Sequence, residues 1–290
     1  MTSTPHFPVE IDHIRKHYDR LSFLYRLFWG EHIHHGYWDN NESVSRAQIQ
    51  LMERLAERAG VSRGVRVLDI GCGLGGSALW LAEQFDCEVT GITISPVQAR
   101  MAAAKAKAQN LTRLAQFQVQ DANRWQPEPA RVDLIWVMES SEHFHDKPVF
   151  FERCAQALKP GGALAVCARL RRDGPLREHE QNLVNTIAEA MLSASLDSLS
   201  DYERWLRDAG LSVMTAEDIT RHVEPTWSHC ARIGDNPVVR FLLRFTSGPT
   251  QRFVRSFPLM KQAYAQGAMA FGLFVAKKPA LHGLIQPGFA

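Results

Sequence analysis

Apolar positions along the chain change period twice. Residues 10–29 place Ile11, Ile14, Tyr18, Leu21, Leu24, Tyr25 and Phe28 at helical spacing. Residues 42–59 repeat that spacing through Val44, Ile49, Leu51, Met52, Leu55 and Ala56. Both read as amphipathic helices, joined by a loop, WGEHIHHGYWD, over 29–39. From Val65 short apolar runs alternate with helical stretches. Strands are expected at 65–69, 88–94, 117–119, 132–138 and 163–168, with helices at 77–84, 96–109 and 149–158 between them. The strands are apolar nearly throughout, which argues for a parallel sheet covered on both faces. Lys159-Pro160-Gly161-Gly162 is a sharp stop after the last of these helices.

Beyond Leu170 that rhythm is lost. Residues 171–207 are helix-rich, 211–220 return as a strand, 222–266 are crowded with bulky side chains, and MAFGLFVAK (269–277) reads as a closing strand. The expected organisation is a helical cap over 1–60, a strand–helix core over 61–170, a lid and acceptor region over 171–266 that includes the returning strand, a closing strand over 267–279 and a tail over 280–290. No internal repeat or low-complexity tract interrupts it.

Composition changes this picture little. The 290 residues are 45% hydrophobic and 22% charged, an ordinary globular balance with enough chain for a large core. Thirty-three Lys and Arg against 31 Asp and Glu give a net charge of +2, without the dense basic footprint of a nucleic-acid binder. Short basic runs such as Arg169, Arg171 and Arg172 read as a solvated face. The five cysteines form no C-x-x-C pair and read as free thiols. No signal peptide or membrane-length apolar stretch is visible, so the expected setting is cytoplasmic, with no stable membrane insertion. Self-association is left open.

The strongest local signal is VLDIGCGLGG over 67–76. A buried strand runs into Gly71-x-Gly73 and then a helix. Glycine permits positive φ and close approach of a ligand to backbone, and the helix offers unpaired N–H groups and a positive dipole end. A lone G-x-G also fits a nicotinamide or flavin site or a bare turn. Asp69 two positions before the first glycine, and two helices ahead of the strand, favour S-adenosylmethionine (SAM).

With those residues in view, VLDIGCGLGG resembles the first motif of class I SAM-dependent methyltransferases. The stretches YDRLSFLYRLFWGEHIHHGYW (18–38), GITISPVQ (91–98), WVMESSEHFHDK (136–147) and LKPGG (158–162) resemble the γ-tocopherol methyltransferase group, close to the sarcosine/dimethylglycine and sugar methyltransferases and the cyclopropane-fatty-acid synthases. The resemblance implies a Rossmann-like α/β sheet of seven mostly parallel strands, with amino-terminal helices and a helical lid. It implies SAM as cofactor and S-adenosylhomocysteine (SAH) as product. Asp69, Gly71 and Gly73 would line the methionine part. Thr93, the backbone at Ile94 and Gln98 would serve the ribose, because no carboxylate ends the second strand. Asp121-Ala122 would meet the adenine amino group and Trp125 its face. Glu139 would lie beside the sulfonium, and Tyr18 would fold over the cofactor.

Glu142-His143, after the fourth strand, is the expected catalytic pair, since a histidine suits proton removal from an acceptor; a structural or substrate-orienting histidine is the competing reading. Glu31 with His32, His34 and His35 reads as a structural loop over the cofactor, and no metal is expected. Trp205, Trp227, Phe241, Phe245, Phe253, Phe257 and Tyr264 are expected to wall, at least in part, a cavity for a small apolar acceptor: a prenylated aromatic, terpenoid, alkaloid or polyketide-like product. C-methylation is slightly favoured over O or N, by direct SN2 transfer. The rival readings are a sugar or amine methyltransferase, an NAD(P)-dependent oxidoreductase, a non-catalytic SAM-binding protein, and cyclopropane synthesis on lipids.

Overall fold

A computed structural model describes residues 10–28, 31–246 and 248–280, and of side chains all of these but 20–28, 238 and 242. Leu21, Leu24, Tyr25 and Phe28 of the expected first-helix face therefore lie outside the described side chains. Seven strands form one sheet: β1 (Arg66–Ile70), β2 (Glu88–Thr93), β3 (Ala115–Val119), β4 (Val132–Met138), β5 (Leu158–Arg171), β6 (Ser212–Asp218) and β7 (Met269–Lys277). Their order is β3-β2-β1-β4-β5-β7-β6. The first five run parallel, and β7 inserts antiparallel between β5 and β6. This is a class I Rossmann-like α/β fold.

The helices that cover the sheet are α1 (Ile11–Phe28), α2 (Val44–Ala59), α3 (Gly76–Phe85), α4 (Pro96–Ala108), α5 (Lys147–Ala157), α6 (Glu178–Ala190) and α7 (Leu199–Asp208). The short α8 (Thr220–Val223) is followed by α9 (Pro225–Asp235), α10 (Pro237–Leu243) and α11 (Gly248–Ala265). Local chemistry sets their ends. Ser43 and Ser95 cap α2 and α4 through their side chains, and Gly60 closes α2 in the left-handed conformation. Asp146 caps α5 by accepting from Val149 N.

One core face packs Leu51, Met52 and Leu55 of α2 with Leu81, Trp136, Phe271 and Met260. The other packs Ile70, Phe151, Leu164, Tyr202 and Phe274. Each such side chain contributes roughly 1.5–3 kcal/mol. The Lys159–Gly162 stop ends α5 as expected, but it does not lie outside the sheet. β5 begins at Leu158, paired with Val132, and the ladder absorbs the glycines through an irregularity between Val132 and Leu134. The order reverses at β1, where β2 and β4 leave in opposite directions. Ligands of open α/β sheets bind at the carboxyl edge of such a switch point.

Candidate functional site

The turn after β1 opens a cleft at that edge. Gly71 has φ 81° and Gly73 φ 52°, a region closed to most side chains. Gly71 N and Cys72 N donate to Ile92 O at 2.9 and 3.0 Å, fastening the turn to β2. A Cβ on Gly71 would overlap the Ser140 side chain, whose hydroxyl donates to Ile70 O at 2.7 Å. At Gly73 the space is open, with Gln98 Nε2 the nearest atom at 4.0 Å. Asp69 is the penultimate residue of β1, 1% exposed. Its carboxylate is hydrogen-bonded by the Ala78 backbone, Oδ2 has no partner, and burial pushes its pKa up to about 7.

The cleft has two lobes that meet at Gly71, Gly73, Ile33 and Met138. The smaller, about 350 Å³, runs past Asp69, His32 and Ser77. The larger, about 740 Å³, runs along Thr93, Ile94 and Gln98 to Asp121, Ala122 and Asn123, and is bordered by Glu139 and His143. Thr93 Oγ1 donates to Gln98 Oε1 at 2.9 Å, so the pair is pre-set before any ligand arrives. Asp121 Oδ1 accepts from Asn123 N at 2.9 Å. Trp125 does not border the cleft. It is buried in the core cluster that also holds Phe144 and Phe150, so it is placed as a packing residue.

Helix α1 closes the larger lobe with Ile11, Ile14 and Tyr18. Among the described side chains, Ser95 Oγ bonds Asp19 Oδ1 and Tyr18 Oη bonds His143 Nε2 at 3.1 Å, which ties the helix to the cleft. His143 Nδ1 donates to Leu192 O at 2.7 Å. The hydrogen on Nδ1 leaves the Nε2 lone pair to accept from Tyr18. Burial, then the nearby Arg169 charge, lowers the His143 pKa to about 3. Glu139 and Leu192 both carry positive φ, 51° and 56°. Strain of this kind on non-glycine residues clusters at functional sites.

The Glu142 expectation is corrected. Glu142 is fully buried behind the cleft, where Oε1 accepts from Arg169 N at 2.8 Å. Arg169 is the residue that the sequence misassigned. Its side chain is 11% exposed, with charge contacts at 3.6 Å to Glu139 and 3.4 Å to Glu142. It belongs to the site rather than to a solvated face, and Arg171 and Arg172 pair with Asp201 and Glu180. Glu139 has both oxygens engaged by His35, from N at 2.6 Å and Nδ1 at 2.7 Å. His35, Arg169 and His34 overcome its burial and hold its pKa down at about 2. Trp227 Nε1 donates to His35 Nε2 at 2.8 Å, which leaves Nδ1 to carry the hydrogen toward Glu139. The EHIHHG loop is thus fixed from both sides: Gln48 Nε2 also donates to His32 O at 2.5 Å and His34 O at 3.2 Å.

Comparison with known proteins follows the same lines. Residues 8–233 match the family described as mycolic acid cyclopropane synthetase. The chain belongs to that family. It is a member of the SAM-dependent methyltransferase group that joins the tocopherol methyltransferases to the cyclopropane synthases. It is 32% identical to the chloroplastic tocopherol O-methyltransferase of Arabidopsis thaliana, over 92% of this chain and 82% of that one. It is 34% identical to the 27-O-demethylrifamycin SV methyltransferase of Amycolatopsis mediterranei, over 75% and 80%. Among solved structures, the cyclopropane synthase MmaA2 of Mycobacterium tuberculosis superposes with a TM-score of 0.81 at 21% identity, over 96% of this chain and all of that one. As a family member the chain is a methyltransferase of small molecules. Among the described residues no helix is long and apolar enough to cross a membrane.

The aromatic wall expected for the acceptor needs correcting. Trp205 packs with Phe151 and Tyr202 on the far face of the sheet. Trp227, Phe257 and Tyr264 are core residues. Phe253 meets His17 edge-on. Phe241 and Phe245 point outward, 55% and 76% exposed. None borders the two-lobed cleft. Composition showed the aromatics, but only tertiary packing decides which way each one faces.

Proposed function

We propose that the chain transfers the methyl group of SAM to a hydrophobic small-molecule acceptor. The observation that carries the proposal is the two-lobed cleft with an orphan carboxylate oxygen at one end. Asp69 Oδ2 is buried and unpartnered beside Gly71 and Gly73, and an ammonium ligand would satisfy it. The cleft residues fit the rest of the cofactor by their chemistry. Thr93 and Gln98 offer a hydroxyl and an amide to a diol, and Asp121 and Ala122 border the far end for a nitrogen base. When bound, SAM supplies an electrophilic methyl that leaves a neutral thioether behind.

The protein's own part is alignment, exclusion of water and acceptance of a proton. Ile14, Tyr18 and Ile33 close the cleft from above, which holds acceptor and methyl in line and dry. As the acceptor atom gains its bond to carbon it becomes cationic and must lose a proton. His143 has a low pKa of about 3. It is too weak a base to ionise a phenol beforehand, but basic enough for the strongly acidic cation formed by transfer. His143 therefore acts with or after methyl transfer, through the Tyr18 hydroxyl, which passes its own proton to Nε2 as Oη takes the one leaving the acceptor. A prenylated or polyketide-like aromatic, reacting at oxygen or at an electron-rich carbon, suits that order.

Calorimetric titration with SAM, SAH and NADH tests the cofactor, and labelled SAM with a panel of tocopherol precursors, prenylated indoles and prenyl diphosphates tests the acceptor. The expected result is binding of SAM and SAH but not NADH, with label transferred to an apolar acceptor. Gly71→Ala should weaken SAH about a hundredfold, since the added Cβ meets both the φ restriction and Ser140. Indifference to SAM and SAH overturns the reading.

A further inference from the structure

Helices α9 to α11 carry a surface that the cleft does not use. Residues 225–265 hold six of the 33 Lys and Arg but only one of the 31 Asp and Glu. This segment carries +5 while the whole chain carries +2. The basic groups are Arg232, Arg240, Arg244, Arg252, Arg255 and Lys261, all exposed, and the acidic one is Asp235. Among the described residues, Arg240, Arg244, Arg252 and Arg255 have no carboxylate partner. Arg240, Arg244 and Arg255 line one cleft between α9, α10 and α11, with Asp235 at its edge.

Beside these cations stand Phe241 and Phe245, 55% and 76% exposed. Their rings meet edge-on at 5.4 Å, so they form one apolar point rather than two scattered residues. Among the described residues, the other exposed large hydrophobics, Val119 and Met214, lie singly on β3 and β6, the two edge strands. Exposed aromatics, each preceded in the chain by an arginine without a carboxylate partner, are the chemistry of an interfacial anchor. The rings enter the acyl boundary and the guanidinium groups meet lipid phosphates.

We propose that the α10–α11 surface docks this protein on an anionic lipid bilayer. Charge complementarity selects this occupant, because a second copy would set five excess positive charges against five more. The placement has a use. A groove bordered by His13, Lys16 and His17 of α1, by Leu192, and by Thr250 and Arg252 of α11 lies next to this surface. The carbonyl of Leu192 is the acceptor for His143 Nδ1. A lipophilic acceptor leaving the bilayer at α10–α11 would meet this groove first, and one hydrogen bond separates its Leu192 wall from His143. This last step rests on the proposed function, whereas the docking itself does not.

The test is co-sedimentation of the full chain with vesicles of phosphatidylcholine alone and with about one-third phosphatidylglycerol, without acceptor, across a salt series. The expected result is binding to the anionic vesicles only, weakening as salt rises. The double variant Arg240→Gln/Arg244→Gln should bind about thirtyfold more weakly, at roughly fivefold per arginine. Phe241→Ser/Phe245→Ser should lose at least about tenfold. Both should keep wild-type SAH affinity, which shows the fold and cofactor site intact. Absence of binding to anionic vesicles, or binding unaffected by either variant, overturns the proposal. So does self-association abolished by the phenylalanine variant without vesicle binding, which would assign the surface to a second copy. Vesicle binding is read without methyl transfer, so its failure and that of the acceptor reading are separate.

Discussion

The carboxyl ends of β1 and β4 lie side by side, and each carries a buried carboxylate within one residue of its end, yet the two are held in opposite states. Asp69 is 1% exposed, takes a single backbone hydrogen bond and has its pKa pushed up to about 7. Glu139 is 9% exposed, takes two bonds from His35 with Arg169 nearby, and has its pKa held at about 2. Burial raises both alike, so the difference lies in the partners. Glu139 has its cation and donors within the protein, and Asp69 waits for one. The β4 end is a finished structural joint that locks the histidine loop and α1 over the cleft. The β1 end is a receptive site whose last partner is a ligand.

The most damaging way to break that contrast is to make the β4 end resemble the β1 end. Arg169→Met keeps the aliphatic stem but leaves Glu139 and Glu142 without the buried cation between them. Removing one member of a buried charge network costs about 3–5 kcal/mol, and urea unfolding should show a loss of that size. Adding Glu142→Gln should recover part of it, because one of the two stranded carboxylates is then neutral. A loss under about 1 kcal/mol would mean that solvent reaches this end and that the contrast with Asp69 is false.

A smaller effect is expected at the receptive end, and it depends on pH. The raised Asp69 pKa means that its contribution to the stability of the empty protein is present in acid, below its ordinary range near 3.8, and is lost as pH rises through about 7. Ligand binding has the opposite sign. An ammonium ligand needs the ionised carboxylate, so below pH 7 each binding event must first expel a proton. SAH affinity should fall about tenfold between pH 7.5 and 6. His17, His32 and His143, with pKa values lowered to about 4, 3 and 3, stay neutral across this window and do not mask the effect. Asp69→Asn should bind SAH more weakly at pH 7.5 and flatten the profile. A flat wild-type profile would place the ammonium elsewhere.

The same contrast explains what was legible in the sequence. The sheet, its order of strands and helices, and the β1 turn are written in local patterns: apolar runs, Gly71 and Gly73, and caps such as Ser95 and Asp146. Residues of the larger lobe, Thr93, Gln98, Asp121 and Ala122, follow the ends of recognisable strands and border the cleft together. The β4 joint is different. Arg169 sits among arginines that read as surface, and only the position of β5 between β4 and β7 turns it inward onto Glu139 and Glu142. Glu142 has the right motif and the wrong side of the wall. Trp125 and the lid aromatics carry no local mark of which way they face. Period and turn chemistry are properties of a short segment, whereas the partner of a buried charge is a property of the whole fold.

Tyr18 lies where the two ends meet, and replacing it gives the smallest and most discriminating effect. Tyr18→Phe keeps the ring over the cleft and removes one hydrogen bond, the 3.1 Å contact to His143 Nε2. Burial raises the Tyr18 pKa to about 12 and burial with Arg169 lowers that of His143 to about 3, so the bond joins two neutral groups and is worth about 1 kcal/mol. Two roles predict different losses of about fivefold. If the hydroxyl passes the proton leaving the acceptor on to His143, kcat falls by at least that factor while SAH affinity changes less than about twofold. If it only holds α1 closed, SAH affinity falls instead and kcat is unchanged. The geometry supports the first outcome. Ser95 and Asp19 fasten α1 independently, whereas among the described side chains only the Tyr18 hydroxyl bonds to His143 Nε2. Equal losses in both quantities would show that the helix and the histidine move as one body, and that the receptive and finished halves of the site are mechanically coupled.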